Sequence, residues 1–151
     1  MGLDITLSRE IYIGAFYAHN DIEITMVIKK EGNPISINPY KIETITEQLL
    51  SWRKANAIHN WFVQHVQDGE DDCKDYEVTI DDIKQLLKTC KTIKDNAESA
   101  KDLLPTTSGF FFGDTDYNEY YFQEIDKTII ALKNIVKNHC SNYSYRYSSS
   151  W

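Results

Sequence analysis

Ten consecutive residues, Trp52-Arg53-Lys54-Ala55-Asn56-Ala57-Ile58-His59-Asn60-Trp61, bring together two indoles, a guanidinium, an ammonium, two amides and an imidazole. A phosphorylated or heteroaromatic ligand needs such groups. Aromatic faces stack, planar cations grip anions through charge-assisted hydrogen bonds, and amides and imidazoles read polar edges. Arg53 and Lys54 are the candidate anion-binding residues, Asn56 and His59 the candidates for polar edges, and Trp61 the candidate stacking face. An amphipathic helix with tryptophan in its core and solvated cations has the same composition. His59 taken alone fits a satisfied structural histidine as well as a ligand-binding one.

Further groups lie downstream. Tyr117 and Tyr120 add stacking candidates after the run Gly109-Phe110-Phe111-Phe112-Gly113, which is too apolar to cradle phosphate and reads as a hydrophobic anchor between glycine hinges. Asp68, Glu70, Asp71, Asp72 and Asp75 supply the carboxylates a hard cation takes. Their spacing departs from the DxDxDG loop, and Cys73 among them is a poor calcium ligand, so the segment reads as a solvated acidic turn. Cys73 with a histidine lacks an identifiable orienting third group. No GxGxxG, GxxxxGK, HExxH or GxSxG occurs. No catalytic residue, metal ligand or cofactor is therefore assigned, and whether the protein is an enzyme stays open, with the motifs leaning against it.

The elements that must position these groups follow from hydrophobic periodicity. Asp4 to Leu7, Glu10 to Phe16 and Ile22 to Ile28 read as strands of an antiparallel meander, with a turn at Glu31-Gly32-Asn33-Pro34 and a short extended run at Ile35 to Ile37. Residues 47–67 read as a helix with Leu49, Trp52, Ala55, Ile58, Phe62, Val63 and Val66 on one arc. Trp61 projects from another side, so the helix is either sandwiched between layers or presents Trp61 to a partner, a ligand or a second copy of the chain. Thr79 and Asp82 form a capping-box pattern ahead of a helix that reaches residue 103, with Asn96 as its point of interruption. Asp116 is the expected cap of a last helix, residues 117–138, striped by Tyr121, Phe122, Ile125, Ile129, Leu132, Ile135 and Val136. The expected fold class is α+β: an N-terminal antiparallel sheet against about three helices, one compact domain over residues 1–140. Residues 141–151 form a Ser/Tyr-rich tail that is flexible by default, an added edge strand being the lesser option.

Composition narrows the partners. A formal net charge of −7 disfavours non-specific binding to nucleic acid or an anionic membrane. No apolar stretch reaches a membrane span, and the first residues lack a signal-peptide pattern, so a cytoplasmic location is expected. Cys73, Cys90 and Cys140 are odd in number and widely spaced, which reads as reduced thiols.

The strings Trp52-Arg53-Lys54-Ala55-Asn56-Ala57-Ile58-His59, Trp61-Phe62-Val63, Val66-Gln67-Asp68-Gly69, Asp71-Asp72-Cys73, Ser108-Gly109-Phe110-Phe111-Phe112-Gly113, Thr115-Asp116-Tyr117 and Glu119-Tyr120-Tyr121 resemble a family of small uncharacterised phage and prophage proteins. The resemblance covers Met1 to Asp4 and roughly residues 51–138. It implies a mobile-element origin and a host-cell setting but carries no established activity. The expectation drawn from it is a non-enzymatic counter-defence protein that sequesters a nucleotide-type immune signal. The alternatives are an inhibitor that binds a host protein complex, or an enzyme with an unrecognised site. A homodimer would reconcile Arg53 and Trp61, which project from different sides of the expected helix.

Overall fold

The computed structural model describes residues 2–14, 25 and 27–151. Strand β1 (Asp4–Tyr12) buries Ile5 and Leu7 and turns Asp4 outward, the alternation of a sheet with one face in the core. A short hairpin follows, β2 (Lys29–Lys30) and β3 (Asn33–Pro34). Its turn residues Glu31 and Gly32 both take positive φ (52° and 83°), which matches the twist of a tight hairpin. Strand β4 (Thr44–Arg53) then pairs antiparallel with β1, setting Ile5 opposite Trp52 and Leu7 opposite Leu50.

Helix α1 (Asn56–His65), strand β5 (Tyr76–Val78), helix α2 (Ile80–Asp95), the single turn α3 (Ala100–Leu103), helix α4 (Glu119–Lys137) and strand β6 (Tyr143–Ser150) complete the chain. The four-stranded sheet has the order β4-β1-β6-β5, antiparallel throughout. Helices cover its apolar face. Leu3, Ile5, Leu7, Trp52 and Tyr147 meet Ile58 and Phe62 of α1, Ile83 and Leu86 of α2, and Ile125 and Leu132 of α4 in one core. The other face carries Asp4, Glu10, Ser144 and Arg146, with Arg146 paired to Glu10 at 3.0 Å. The α+β class and the packing of an antiparallel sheet on helices follow the sequence expectation.

Several local expectations are corrected. Residues 47–67 are not one helix: Thr44 to Arg53 is strand β4, and Lys54, at φ 56°, turns the chain into α1. Leu50 and Trp52 satisfy a period of two as well as Trp52 and Ile58 satisfy a helical arc, and the open edge of β1 decides for the strand. The tail does not stay loose. It forms β6, inside the sheet between β1 and β5, because alternate Tyr145, Tyr147 and Ser149 face the core. The cap of α4 is Asn118, whose side chain accepts from the Tyr121 amide at 3.1 Å, while Asp116 instead donates its backbone N–H to Asp114. Of the expected meander, β1 spans its first strand and part of its second, with a register shift after Leu7; Phe16 and most of Ile22 to Ile28 lie outside the described residues, and Ile35 to Ile37 is not a strand. The capping box of α2 is present, with Asp82 Oδ2 accepting from Thr79 N at 2.8 Å and Thr79 Oγ1 from Asp82 N at 3.1 Å, and the helix stops before Asn96.

Candidate functional site

The first turn of α1 and the loop between α3 and α4 are fastened by Asn56. Its side chain is 3% exposed; the amide nitrogen donates to the carbonyls of Phe112 at 3.1 Å and Asp114 at 2.8 Å, and the amide oxygen accepts from Thr107 N at 3.0 Å. Asn56 thus shapes the site rather than reading a ligand. The loop reaches Lys54 so closely that a Cβ at Gly113, itself at φ 86°, would stand 3.0 Å from Lys54 Cβ. Two clefts open on either side of this fastening.

The first cleft holds about 350 Å³ between α1, the loop and the start of α4. Its walls are apolar, from Ala55, Ala57, Ile58, Tyr121 and Ile125. The first turn of α1 lines it without any side-chain cap, because the cap position is Ala55. The leading N–H groups of a helix have no intrahelical acceptor and form the positive end of its dipole. Lys54 adds a cation beside them, and no ion-pair partner of its ammonium is found among the described residues. Asp114, Asp116 and Glu124 line the rim. The Asp114 carboxylate already accepts from Asp116 N at 2.9 Å and Asn118 Nδ2 at 2.8 Å, and Glu124 faces Lys127 at 3.4 Å. Burial pushes the Tyr120 hydroxyl above its ordinary pKa, with Glu124 acting in the same direction and Arg53 against it. Tyr121 is raised further by burial, and its hydroxyl donates to Leu104 O at 2.9 Å.

The second cleft, about 510 Å³, lies between α1, residues 107–112 and the chain end. His59, 1% exposed, meets the Tyr147 hydroxyl at 2.5 Å through Nδ1 and Asp71 Oδ2 at 2.9 Å through Nε2. Trp151 Nε1 donates to Asp71 Oδ1 at 3.1 Å. A carboxylate oxygen accepts, so the His59 Nε2–H donates to Asp71 and Nδ1 is left to accept from the Tyr147 hydroxyl. With both ring nitrogens engaged, His59 is a satisfied histidine that ties α1 to β6.

The candidate residues therefore separate. Lys54, Asn56 and Tyr120 line the first cleft and His59 the second. Arg53, Trp61 and Tyr117 line neither. Arg53 ends β4 on the sheet's outer face, 3.9 Å from Asp4, and only its carbonyl approaches the site, as acceptor for the Tyr120 hydroxyl. Trp61 is 3% exposed, stacked on His65 at 4.4 Å and edge-on to Phe62, so it offers no face to a ligand or a second chain. The Tyr117 hydroxyl accepts from Thr106 N at 3.2 Å. Asp114, Glu124 and Trp151 are candidates that pattern reasoning does not single out, while Asp71 enters it only within the acidic run and Asp116 only as a helix cap. The alternation of Asp114, Asp116 and Asn118 is the visible signal for Asp114. Among the described residues no group of three histidines, cysteines or carboxylates is placed to hold a metal, and no helix is long and apolar enough to cross a membrane. No family model, curated protein or solved structure matches the chain.

Proposed function

We propose that the protein is a non-enzymatic binding protein that sequesters a small nucleotide-type ligand in the first cleft. The observation that carries this reading is an uncapped helix N-terminus, flanked by Lys54, at one end of an apolar-walled cleft of about 350 Å³. An anionic acceptor such as a single phosphodiester fits that end. Asp116 and Glu124 on the rim suit donors, the hydroxyls or exocyclic amines that sugars and bases carry. The same acidic rim disfavours a ligand with several phosphates. The motif resemblance supplies the setting, a phage or prophage protein that removes an immune signal in the host cytoplasm. The cleft is complete within one chain, so the reading needs no homodimer.

Native mass spectrometry of the protein purified from cells with and without active antiviral signalling tests it. The expected result is an intact nucleotide retained only from signalling cells, bound roughly tenfold more weakly or worse by Lys54→Asn, since a hydrogen bond to a charged group is worth about 1.5–3 kcal/mol. Asparagine keeps the positive φ tolerable at this position. An altered nucleotide would make the protein an enzyme, and a protein in place of a nucleotide would favour an inhibitor acting by surface contact. One feature gives that second reading substance: Phe110 stands 95% exposed at the tip of the loop.

A further inference from the structure

The second cleft has a different chemistry from the first, and its occupant follows from the sign of its charge. Among the described residues that line it, Asp71 supplies a side-chain carboxylate and there is no lysine or arginine. His59 and Trp151 each donate to one oxygen of that carboxylate, fixing its orientation, and two of its four lone-pair sites remain open. Asp71 keeps 27% of its side chain exposed, enough for a ligand to reach it. Among the described residues no lysine or arginine pairs with it: Lys74, the lysine of the same connection, is paired with Asp72 at 2.5 Å. Asp68, Glu70, Asp72 and Asp75 surround it in sequence and add to the negative field.

The remaining walls are aromatic. Phe110 and Phe111 meet edge to face at 4.8 Å, and Phe112 meets Trp151 at 5.9 Å. Exposing Phe110 and part of Trp151 to water costs free energy that an apolar ligand would recover, and aromatic faces attract cations through their quadrupoles. An oriented carboxylate at one end of an aromatic slot selects a positive head on an apolar stem. We propose that this cleft binds an organic cation, a guanidinium or primary ammonium on an alkyl chain. Such a group is carried by a free amine or by an exposed arginine or lysine of another protein. The proposal is independent of the first cleft.

Nuclear magnetic resonance reads it directly, because the Trp151 indole N–H is itself bonded to Asp71. Agmatine and the peptide acetyl-Gly-Arg-Gly-amide are titrated into the full chain, with acetylglutamate as an anionic control. Both cations should shift the Trp151 indole resonance saturably while acetylglutamate leaves it in place. The tighter of the two identifies the source, a free amine or a protein side chain. Asp71→Asn should weaken binding roughly tenfold or more, and raising salt should weaken it further. Should Asp71→Asn loosen the chain end, Phe110→Ala replaces it: that side chain is solvent-exposed, and its loss should weaken binding about threefold without altering the fold. Lys54→Asn should leave the titration unchanged. No saturable shift up to tens of millimolar, an equal response to acetylglutamate, or full affinity in Phe110→Ala overturns the proposal.

Discussion

Asn56 shows how a single side chain can look like a ligand reader and be a fastener. Its position among cations and indoles suggests recognition, yet its amide is spent on the carbonyls of Phe112 and Asp114 and the N–H of Thr107. Replacing it with alanine strands three buried or part-buried backbone groups, each costing about 1–3 kcal/mol when unsatisfied. Asn56→Ala should therefore lower the unfolding free energy by about 3 kcal/mol, measured by urea denaturation, and Asn56→Asp, which keeps the acceptor for Thr107 but turns a buried carboxylate oxygen toward the carbonyls of Phe112 and Asp114, should lower it at least as much. A change below about 0.5 kcal/mol, the range of an ordinary surface substitution, would show that the loop holds its place without this clamp. At this scale the site was partly legible. Lys54, Asn56 and Tyr120 line the first cleft, whereas Arg53 is misplaced because a helix is assigned where β4 runs, and Trp61 because α1 is buried on more than one side.

Elements differ in how much of their stability they carry alone. Helices α2 and α4 bring their own caps, Thr79 and Asn118, and their own apolar stripes, so local sequence suffices to find them. Strand β6 brings neither. Its Ser/Tyr composition becomes ordered only because β1 and β5 stand on either side, with Leu7 and Tyr76 opposite Tyr147. That interior position predicts a large effect of truncation. A chain ending at residue 142 loses buried Tyr145 and Tyr147, worth about 3–6 kcal/mol together by burial alone, and leaves β1 half unpaired. Against a typical net stability of about 5–15 kcal/mol, this chain should not fold cooperatively, as followed by near-ultraviolet circular dichroism. A truncated protein that melts like the full chain would return the tail to a peripheral role.

The core as a whole determines how the protein responds to alkali and to reductant. Burial pushes the Cys90 thiol up from 9.0 to about 12, and it raises the hydroxyls of Tyr121, Tyr145 and Tyr147 as well. A folded-state pKa above the unfolded one favours the folded state while the group is neutral, so the contribution is complete below pH 9.0 and falls away as pH rises toward about 12. The melting temperature should be insensitive to these groups near neutrality and drop steeply across that alkaline window. All three cysteines are free, with Cys73 and Cys140 exposed and Cys90 buried. Ellman's reagent should therefore label two thiols in the native protein and three in guanidinium, and dithiothreitol should leave the melting temperature unchanged. Three fast thiols in the native state, or a reductant-sensitive melting point, would contradict this packing.

Sequence by itself determined what depends on near neighbours along the chain: the capping box at Thr79, the stripes of α2 and α4, the turn at Glu31-Gly32, and the α+β class those elements imply. Tertiary structure decided what depends on distant partners. Trp52 is compatible with a helical arc or a strand face, and its pairing with Ile5 and its hydrogen bond to Thr128 at 2.8 Å settle the matter across 76 residues of sequence separation. The alternating tyrosines of the tail became an interior strand for the same reason, since a strand gains its hydrogen bonds from neighbours that no local pattern contains. The clefts depend most of all on such contacts, because Asn56, Asp71, the 106–118 loop and Trp151 meet only after the sheet has closed on the helices.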